Sequence, residues 1–217
     1  MANSGKVSGA VVRRLPGYYR YLCDLERDGL VRISSQELGS RMGLTASQIR
    51  QDINCFGGFG QQGYGYNVSE LRKRIGEILG LDEEYSMVVV GAGNIGQGIA
   101  KYSGFRRQGF VVKAMFDRHP ERIDTQSDGV AVLPVEALEQ YVRENQIAIG
   151  VITTPAVSAQ QICDQLVRGG VRAIWNFALV DLNVPEGIAL QNVHLSDTLM
   201  VLSYHMREHQ KAKDEAK

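Results

Sequence analysis

The sequence predicts an α/β protein in which a small helical domain precedes a doubly wound parallel sheet. An apolar run enters a glycine-rich turn at residues 91–96, and strand-like and helix-like segments alternate from there to about residue 193. Before this turn, two short capped helices flank Gly43. A length of 217 residues suits one large or two small domains. We therefore expect domains at 1–80 and 81–193, followed by a terminal helix and tail at 194–217.

The first predicted element is an amphipathic helix that opens at Arg13–Pro16 and ends near Gly29. A capping box follows at Ser34–Glu37, in which the Ser34 hydroxyl accepts from the N–H of Glu37 and the carboxylate reaches back. The short helix that it starts ends at Gly43.

A second capping box at Thr45–Gln48 starts a helix whose inner face is apolar. Two short helices around a glycine form a helix-turn-helix pattern, and the second helix then carries the groups that read bases and bind phosphates. Its outward polar residues are Ser47, Gln48, Arg50, Gln51 and Asn54. The alternative interpretation is an ordinary solvated face.

Glycines alternate with aromatic residues from Phe56 to Tyr66, which excludes a helix and favours a hairpin with a glycine-rich tip. A hairpin after a helix-turn-helix is a wing that can lie along DNA, with its tip at Gly58, Phe59, Gly60, Gln61 and Gln62. Residues 1–80 carry a net charge of +4 and residues 81–217 a net charge of −4. This asymmetry also favours a polyanion as the partner of the first domain.

A capped helix from Asn67 to Leu79 closes the first domain, with Gly80 as its stop, and Leu81–Ser86 is the expected linker. The strand Met87–Val90 then leads into the glycine-rich turn. Gly91 allows a tight turn, Gly93 leaves room for a pyrophosphate, and Gly96 lets the helix at 97–102 pack against the sheet. Phosphates would then lie over unpaired helical N–H groups. A glycine-rich turn that binds nothing is the alternative.

Further strands are expected at 111–116, 147–153, 171–177 and 188–193, with helices at 135–144 and 159–166. Asp117 ends the first of these strands, where a carboxylate accepts from ribose hydroxyls and favours NAD over NADP. Arg118 and His119 weaken that preference. The segment Thr153–Ala156, which includes Thr154 and Pro155, lies at the carboxyl end of a strand, where open parallel sheets bind ligands.

The terminal helix, about Ser196–His209, is apolar over more than one face, so we expect burial against a second subunit. Cys23, Cys55 and Cys163 have no disulfide or zinc spacing, and we expect buried thiols. The sequence shows neither a membrane-length apolar run nor a signal peptide, which predicts a cytoplasmic protein.

The strand ends offer no good acid or base, and the sequence contains neither a GxSxG motif nor a metal-ligand cluster. A dinucleotide site without catalytic groups predicts a sensor rather than an enzyme. A small NAD-dependent oxidoreductase and a regulator that binds coenzyme A or another nucleotide are the alternatives, because the fold alone does not specify the ligand.

The chain resembles the redox-sensing transcriptional repressors called Rex from Arg14 to Tyr204. The matching residues are Arg14–Pro16 with Tyr18–Tyr19, Ile33–Ser35, Gln48–Asp52, Phe56–Tyr66, Gly91–Gly96, Lys101–Phe105, Phe116–Asp117, Thr154–Ala156 and Asn176–Ala178. The resemblance implies a homodimer of winged helix-turn-helix and Rossmann domains with a C-terminal helix swapped between subunits. It also implies repression of fermentation and anaerobic respiration genes while NADH is low, and release from double-stranded operator DNA when NADH binds and rotates the subunits.

The resemblance also assigns roles to individual residues. The pyrophosphate would be held by Gly91, Ala92, Gly93, Asn94, Ile95 and Gly96, the adenosine ribose by Asp117, and Tyr102, Thr153, Thr154, Asn176 and Phe177 would lie near the nicotinamide. Apart from these assignments, we expect DNA contacts from the wing tip and from Arg13, Arg14, Ser34, Ser35, Thr45, Ser47, Gln48, Arg50 and Gln51.

The chain departs from the family pattern at several positions. Gln51 and Gln62 stand where cations are common, which predicts a weaker salt dependence of DNA binding. Leu179 replaces a common proline. His194 replaces an Asp that pairs with the other subunit's N-terminal Arg, here Arg14, so that this ion pair is in doubt.

Overall fold

The computed structural model describes residues 7–57 and 64–215. The chain divides into two compact units between Glu83 and Glu84, within the predicted linker. Among the described residues, no helix is both long and apolar enough to cross a bilayer.

The first unit is a helical bundle with one short ladder. Its elements are α1 (Gly9–Arg27), β1 (Arg32–Ile33), α2 (Ser35–Met42), α3 (Ala46–Asn54), β2 (Tyr66–Asn67) and α4 (Val68–Ile78). Its core combines one face of every helix with the ladder, and Tyr18, Leu22, Leu38, Ile49 and Val68 are fully buried there. The helix-turn-helix is therefore packed on α1 and α4.

Helix α1 begins earlier than the sequence predicted. Ser8 caps it by accepting from the N–H of Val11, and Pro16 lies inside the helix. The prediction that Arg13–Pro16 opens the helix was wrong. An interior proline costs a helix one backbone hydrogen bond and a clash with the preceding turn, but burial of the apolar stripe on both sides of Pro16 outweighs this cost. Val11, Leu15 and Tyr18 continue that stripe on both sides of Pro16.

Strand β2 also pairs outside the expected hairpin. Ile33 pairs with Tyr66 and Arg32 with Asn67, so that β2 forms an antiparallel ladder with a strand that precedes α2. The sequence analysis did not predict this longer-range contact, and the hairpin itself stays a prediction. Residues 58–63, which include the predicted wing tip, lie outside the described residues.

The second unit is a seven-stranded sheet in the order β5-β6-β4-β3-β7-β8-β9. All neighbours in it are parallel except β5 and β6. Its elements are β3 (Tyr85–Val90), α5 (Asn94–Lys101), α6 (Ser103–Arg107), β4 (Phe110–Asp117), β5 (Gln126–Ser127), β6 (Val130–Pro134), α7 (Leu138–Glu144), β7 (Ile149–Ile152), α8 (Ala156–Gly169), β8 (Ala173–Asn176), β9 (Ala189–Asn192) and α9 (Leu195–Glu215). The predicted doubly wound sheet is confirmed.

Alternation along the central strands gives this sheet two cores. Val88 and Val90 face the core that includes residues of α7 and α8, whereas Met87 and Val89 face the core that includes Ile99 of α5. Side chains of a strand alternate between faces, and burial on both faces explains why the strand is a continuous apolar run.

Several elements differ from the predicted ones. Strands β5 and β6 were not predicted, and the helix expected at Val135 begins as a short 3₁₀ turn before α7. Helix α8 begins at Ala156 rather than Ala159. The expectation of three buried thiols was wrong, since Cys163 is buried, Cys23 half-buried and Cys55 exposed.

Candidate functional site: a dinucleotide cavity and a helix-turn-helix surface

The glycine-rich turn is built by close backbone contacts at the carboxyl end of β3. Gly91 has φ +106°, and a side chain there would meet the carbonyl and hydroxyl of Thr153 at 2.9 Å. A Cβ on Gly96 would overlap the carbonyl oxygen of Gly91. At Gly93, by contrast, a Cβ would meet nothing within 4 Å. Gly91 and Gly96 are therefore required by the fold, whereas Gly93 leaves open space beside the turn.

The N-terminus of α5 lacks the side-chain cap that the helices of the first unit have. Ser8, Ser34, Thr45 and Asn67 each accept a backbone N–H at the start of α1, α2, α3 and α4. Gly93 stands at the corresponding position of α5 and supplies no such acceptor. The first N–H groups of α5 and the positive end of its dipole thus suit an anion.

Asp117 lies beside this turn, is 5% exposed, and has four nitrogen atoms within hydrogen-bond distance of its carboxylate. One oxygen accepts from the N–H of Ala92 at 2.7 Å and from Arg122 at 3.1 Å. The other lies 3.0 Å from the backbone nitrogen of His119 and 2.8 Å from its ring Nδ1. A carboxylate has about four acceptor sites, so a ribose hydroxyl reaches Asp117 only if His119 or Arg122 moves.

The same contacts keep Asp117 ionised. Burial by itself would raise the pKa of this carboxyl. The hydrogen bonds from the His119 and Ala92 backbones, and then from the His119 ring and Arg122, outweigh burial and hold the pKa far below its usual range. The site beside the glycine-rich turn therefore combines the negative charge of Asp117 with the positive charge of Arg122.

A cavity of about 550 Å³ extends from the glycine-rich turn past Asp117 to helix α8. Of the predicted cofactor residues, it brings together Gly91, Gly93, Asp117, Arg118, Thr153, Thr154 and Pro155. Ala92, Asn94, Ile95 and Gly96 belong to the turn or to α5, but they are not part of the cavity wall. The adjacent threonines differ in their bonding. The Thr153 hydroxyl donates to the carbonyls of Val90 and Gly91, whereas the Thr154 hydroxyl is buried without a partner among the described residues.

The remaining predicted residues lie away from this cavity. Asn176 is fully buried, and its amide bonds Val180, Asn192 and Ala178, so that it braces the end of β8. Phe177 packs edge-to-face on Trp175 at 4.7 Å. Tyr102 packs in the same way on Phe105 at 4.7 Å and is 60% exposed. Phe105 also contacts Trp175, with ring centroids 5.6 Å apart. Tyr102 and Phe177 therefore lie at the two ends of one row of aromatic rings.

Sequence reasoning missed much of the cavity wall. Among the residues absent from the predicted set are His119, Arg122, Val135, Glu136, Ser158, Gln161, Ile162 and Gln165. His119 and Arg122 follow the strand end directly and could have been suspected from that position. The residues of α8 carried no local signal, because a polar helical position is ordinarily interpreted as solvated.

In the first unit, α3 presents an exposed polar face. Ser47, Arg50, Gln51 and Asn54 are exposed, Gln48 is half-buried, and Ile49 and Ile53 point into the core. The hydroxyl halves of both predicted capping boxes formed, whereas the expected return of the Glu37 carboxylate to the N–H of Ser34 is not among the hydrogen bonds of the described residues. The hydroxyl of Ser34 accepts from Glu37 at 3.0 Å and that of Thr45 accepts from Gln48 at 3.1 Å. The carboxylate of Glu37 approaches Arg41 at 3.5 Å.

Two of the predicted DNA-contacting residues, Arg50 and Arg14, have partners within this unit. Arg50 donates to the hydroxyl of Ser35 at 3.0 Å, which connects α3 to the start of α2 on the exposed face. Arg14 donates two bonds of 2.7 Å to Asp52, and Tyr18 donates a third to the same carboxylate. Arg14 thus holds α1 to α3 from within the unit, while Arg13 is exposed.

Burial would raise the pKa of Asp52, but the hydrogen bonds from Arg14 and Tyr18 outweigh it and hold the pKa below its usual value. The same network raises the pKa of Arg14, chiefly through the hydrogen bond to Asp52.

The predicted wing contacts, Gly58, Phe59, Gly60, Gln61 and Gln62, lie outside the described residues. Among the described residues, no group of three or more His, Cys, Asp or Glu could hold a metal.

Comparisons with known proteins agree with this division of the chain. A family model described as a putative DNA-binding protein N-terminus matches residues 6–54, and one described as a CoA binding domain matches residues 82–180. The redox-sensing transcriptional repressor Rex of Clostridium perfringens is 52% identical over 198 residues, which cover 91% of this chain and 93% of that protein. Rex of Clostridium tetani is 51% identical over 96% of this chain and 99% of that protein.

Solved structures of RSP, a Rex-family repressor, match the whole fold. RSP in complex with beta-NAD+ and operator DNA is 50% identical, with a TM-score of 0.89 over 97% of each chain. RSP in complex with beta-NADH is 47% identical, with a TM-score of 0.89 over 97% of this chain and 99% of that one. At such identity and coverage, this chain belongs to the Rex family of redox-sensing transcriptional repressors, which are regulators rather than enzymes.

Proposed function

We propose that this protein binds operator DNA when NADH is scarce and leaves it when NADH binds. One observation carries the proposal. An uncapped α5 N-terminus and a buried, ionised Asp117 line the end of one unit, and the same chain carries a helix-turn-helix with an exposed polar face. The related repressor RSP has been crystallised both with beta-NADH and with beta-NAD+ and operator DNA.

The cavity residues suit a dinucleotide. The open space beside Gly93 and the free N–H groups of α5 fit a pyrophosphate. Two buried polar atoms of the wall, the Thr154 hydroxyl and the Gln165 carbonyl oxygen, lack partners among the described residues, and a polar ligand would supply them. When bound, the nicotinamide supplies a charge difference, because its ring is cationic in NAD+ and neutral in NADH.

The exposed face of α3 suits DNA. Arg50 carries the cation, and its guanidinium is oriented by Ser35, while Gln51 and Asn54 offer amides at the same face. We propose that Arg50 and the caps of α2 and α3 contact phosphates and base edges. Action on operator DNA requires access to the chromosome, which supports the cytoplasm as the place of action.

We also propose a homodimer assembled through α9. This helix exposes seven large apolar side chains, each more than half accessible: Leu195, Leu199, Met200, Val201, Leu202, Tyr204 and Met206. Such a surface marks an interface in a folded protein. A second copy that receives α9 would allow ligand binding to change how two DNA-binding units are spaced.

The direct test titrates operator binding with NADH and NAD+ separately. By linkage, a ligand releases DNA only if its affinity differs between the bound and the released states. We expect NADH to dissociate the complex at a concentration at least about tenfold below that of NAD+, which corresponds to a differential free energy of about 1.4 kcal/mol. In the same titration, Asp117→Asn should weaken the response to NADH and retain operator affinity. Arg50→Ala should weaken operator affinity and retain the binding of NADH.

Equal operator binding with and without NADH contradicts redox sensing, and loss of the same activity in both variants contradicts the division between the two units. Coenzyme A serves as the control ligand, since the matching family model carries that description. NADH should raise the melting temperature of the protein far more than coenzyme A does.

A further inference from the structure

Helix α8 brings three glutamines into two different environments. Gln161 and Gln165 are one turn apart and line the cavity together with Ile162. Gln160 faces elsewhere. Its amide donates to Asp164 at 2.8 Å and to the carbonyl of Asn183 at 3.0 Å, and it accepts from the N–H of Asn183 at 2.9 Å.

Gln165 has no such partners. Its carbonyl oxygen is buried, and no donor among the described residues reaches it. An unsatisfied buried acceptor destabilises the folded state, and folded proteins rarely leave one. Among the described residues, the buried Thr154 hydroxyl and the buried Gln165 carbonyl oxygen lack hydrogen-bond partners, and both residues line this cavity. A group that enters the cavity is thus expected to supply the missing donor.

The shape of the cavity limits what that group is. With a pyrophosphate at Gly93 and a ribose near Asp117, the part of the cavity that remains is the one toward α8. Its apolar lining comes from Phe116, Val135 and Ile162, which suits the faces of a purine ring. The amide of Gln165 supplies a polar contact in this part of the wall.

We propose, on the basis of the proposed function, that Gln165 selects adenine by accepting a hydrogen bond from its 6-amino group. A glutamine amide matches adenine, since its oxygen accepts from the amino group while its nitrogen donates to a ring nitrogen. Hypoxanthine carries a carbonyl oxygen at the same position, so that two acceptors would face each other. The base of the bound dinucleotide is therefore recognised by a residue of α8.

The test compares NADH with reduced nicotinamide hypoxanthine dinucleotide, in which a 6-carbonyl and an N1–H replace the 6-amino group and the unprotonated N1 of adenine. Dissociation constants are measured by calorimetry for the unmodified protein, for Gln165→Leu and for the matched variant Gln160→Leu. We expect the unmodified protein to prefer NADH by about tenfold or more, which is the effect of one buried hydrogen bond. Gln165→Leu should bring the ratio to within about twofold, and Gln160→Leu should leave it unchanged even if it lowers the melting temperature.

The outcomes separate the two claims. If the unmodified protein does not bind NADH, the proposed function fails. If it binds both dinucleotides equally, or if Gln165→Leu retains the preference for NADH, the role of Gln165 is wrong while NADH binding stands. A ratio that changes equally in both variants also overturns it, because Gln160 does not line the cavity.

Discussion

At the scale of single residues, two carboxylates have unusual environments and different uses. Asp117 is surrounded by donors beside the glycine-rich turn, where it neutralises Arg122 and orients Ala92. Asp52 is 1% exposed on the inner side of α3 and receives three bonds from Arg14 and Tyr18. The first carboxylate lines the cavity of the second unit, whereas the second holds two helices of the first unit together.

Asp52→Asn is expected to destabilise the first unit by about 3 kcal/mol at neutral pH, because it leaves the cation of Arg14 without its counterion. The pKa of Asp52 is lowered in the folded protein. Its stabilisation is therefore complete above the unfolded pKa of about 3.9 and is lost as the pH falls through the folded pKa. Circular dichroism melts should show a difference from the unmodified protein that shrinks below about pH 4.

Trp175 is the single tryptophan of the chain and lies in the second unit, so its fluorescence reports that unit alone and should change little in Asp52→Asn. Glu37→Gln is the control, since Glu37 belongs to an exposed pair worth at most about 1 kcal/mol. If Asp52→Asn lowers the stability only slightly, or by an amount that does not change with pH down to 3, the stabilising role of the Arg14–Asp52 pair is contradicted.

At the scale of elements, close backbone approach decides where the helices lie. A Cβ on Gly39 would stand 2.5 Å from the carbonyl oxygen of Leu44, so that α2 and the turn into α3 meet at a glycine. Gly96 plays the corresponding part in α5 against Gly91. Both positions allow an element to approach its neighbour more closely than any side chain would permit.

Gly96→Ala should push the start of α5 away from the turn and lower the stability of the second unit by about 1–3 kcal/mol, with loss of NADH binding. Gly98→Ala is the matched control on the same helix, because a Cβ there meets nothing within 4 Å. That variant should gain about 0.5–1 kcal/mol from helix propensity. Melts followed by Trp175 fluorescence check both, and equal stability of the two variants contradicts the close contact at Gly96.

At the scale of the whole molecule, α9 presents an exposed apolar surface in the described part of the chain. Its apolar residues from Leu195 to Met206 are more than half exposed. The formal net charge of the chain is zero, and a net charge near zero favours association. Both features are consistent with a second copy that covers α9.

Leu199→Glu should convert the expected dimer, which has twice the 24.0 kDa mass of one chain, into a monomer. The reason is that this substitution places a charge in the apolar surface of α9. Gln210→Glu adds the same charge at the polar end of α9 and should leave the dimer intact. Light scattering coupled to gel filtration measures the mass. A monomeric unmodified protein, or dissociation by both variants, contradicts assembly through α9.

The features determined by the sequence alone were those whose physics is local. Capping residues at Ser34 and Thr45, the turn at Gly91 and the acidic residue at Asp117 lie within a few residues of the structure that they specify, and the apolar runs gave the central strands. The resemblance to the Rex family rests on the same local motifs.

Only the tertiary structure decided contacts between residues that are distant in the chain. It paired Arg14 with Asp52, joined Ile33 to Tyr66, filled the acceptors of Asp117 with donors from three residues, and brought Gln165 to the cavity wall. Such contacts depend on how several elements pack at once. A polar side chain on a helix has the same sequence pattern whether it meets water, a carboxylate or a ligand.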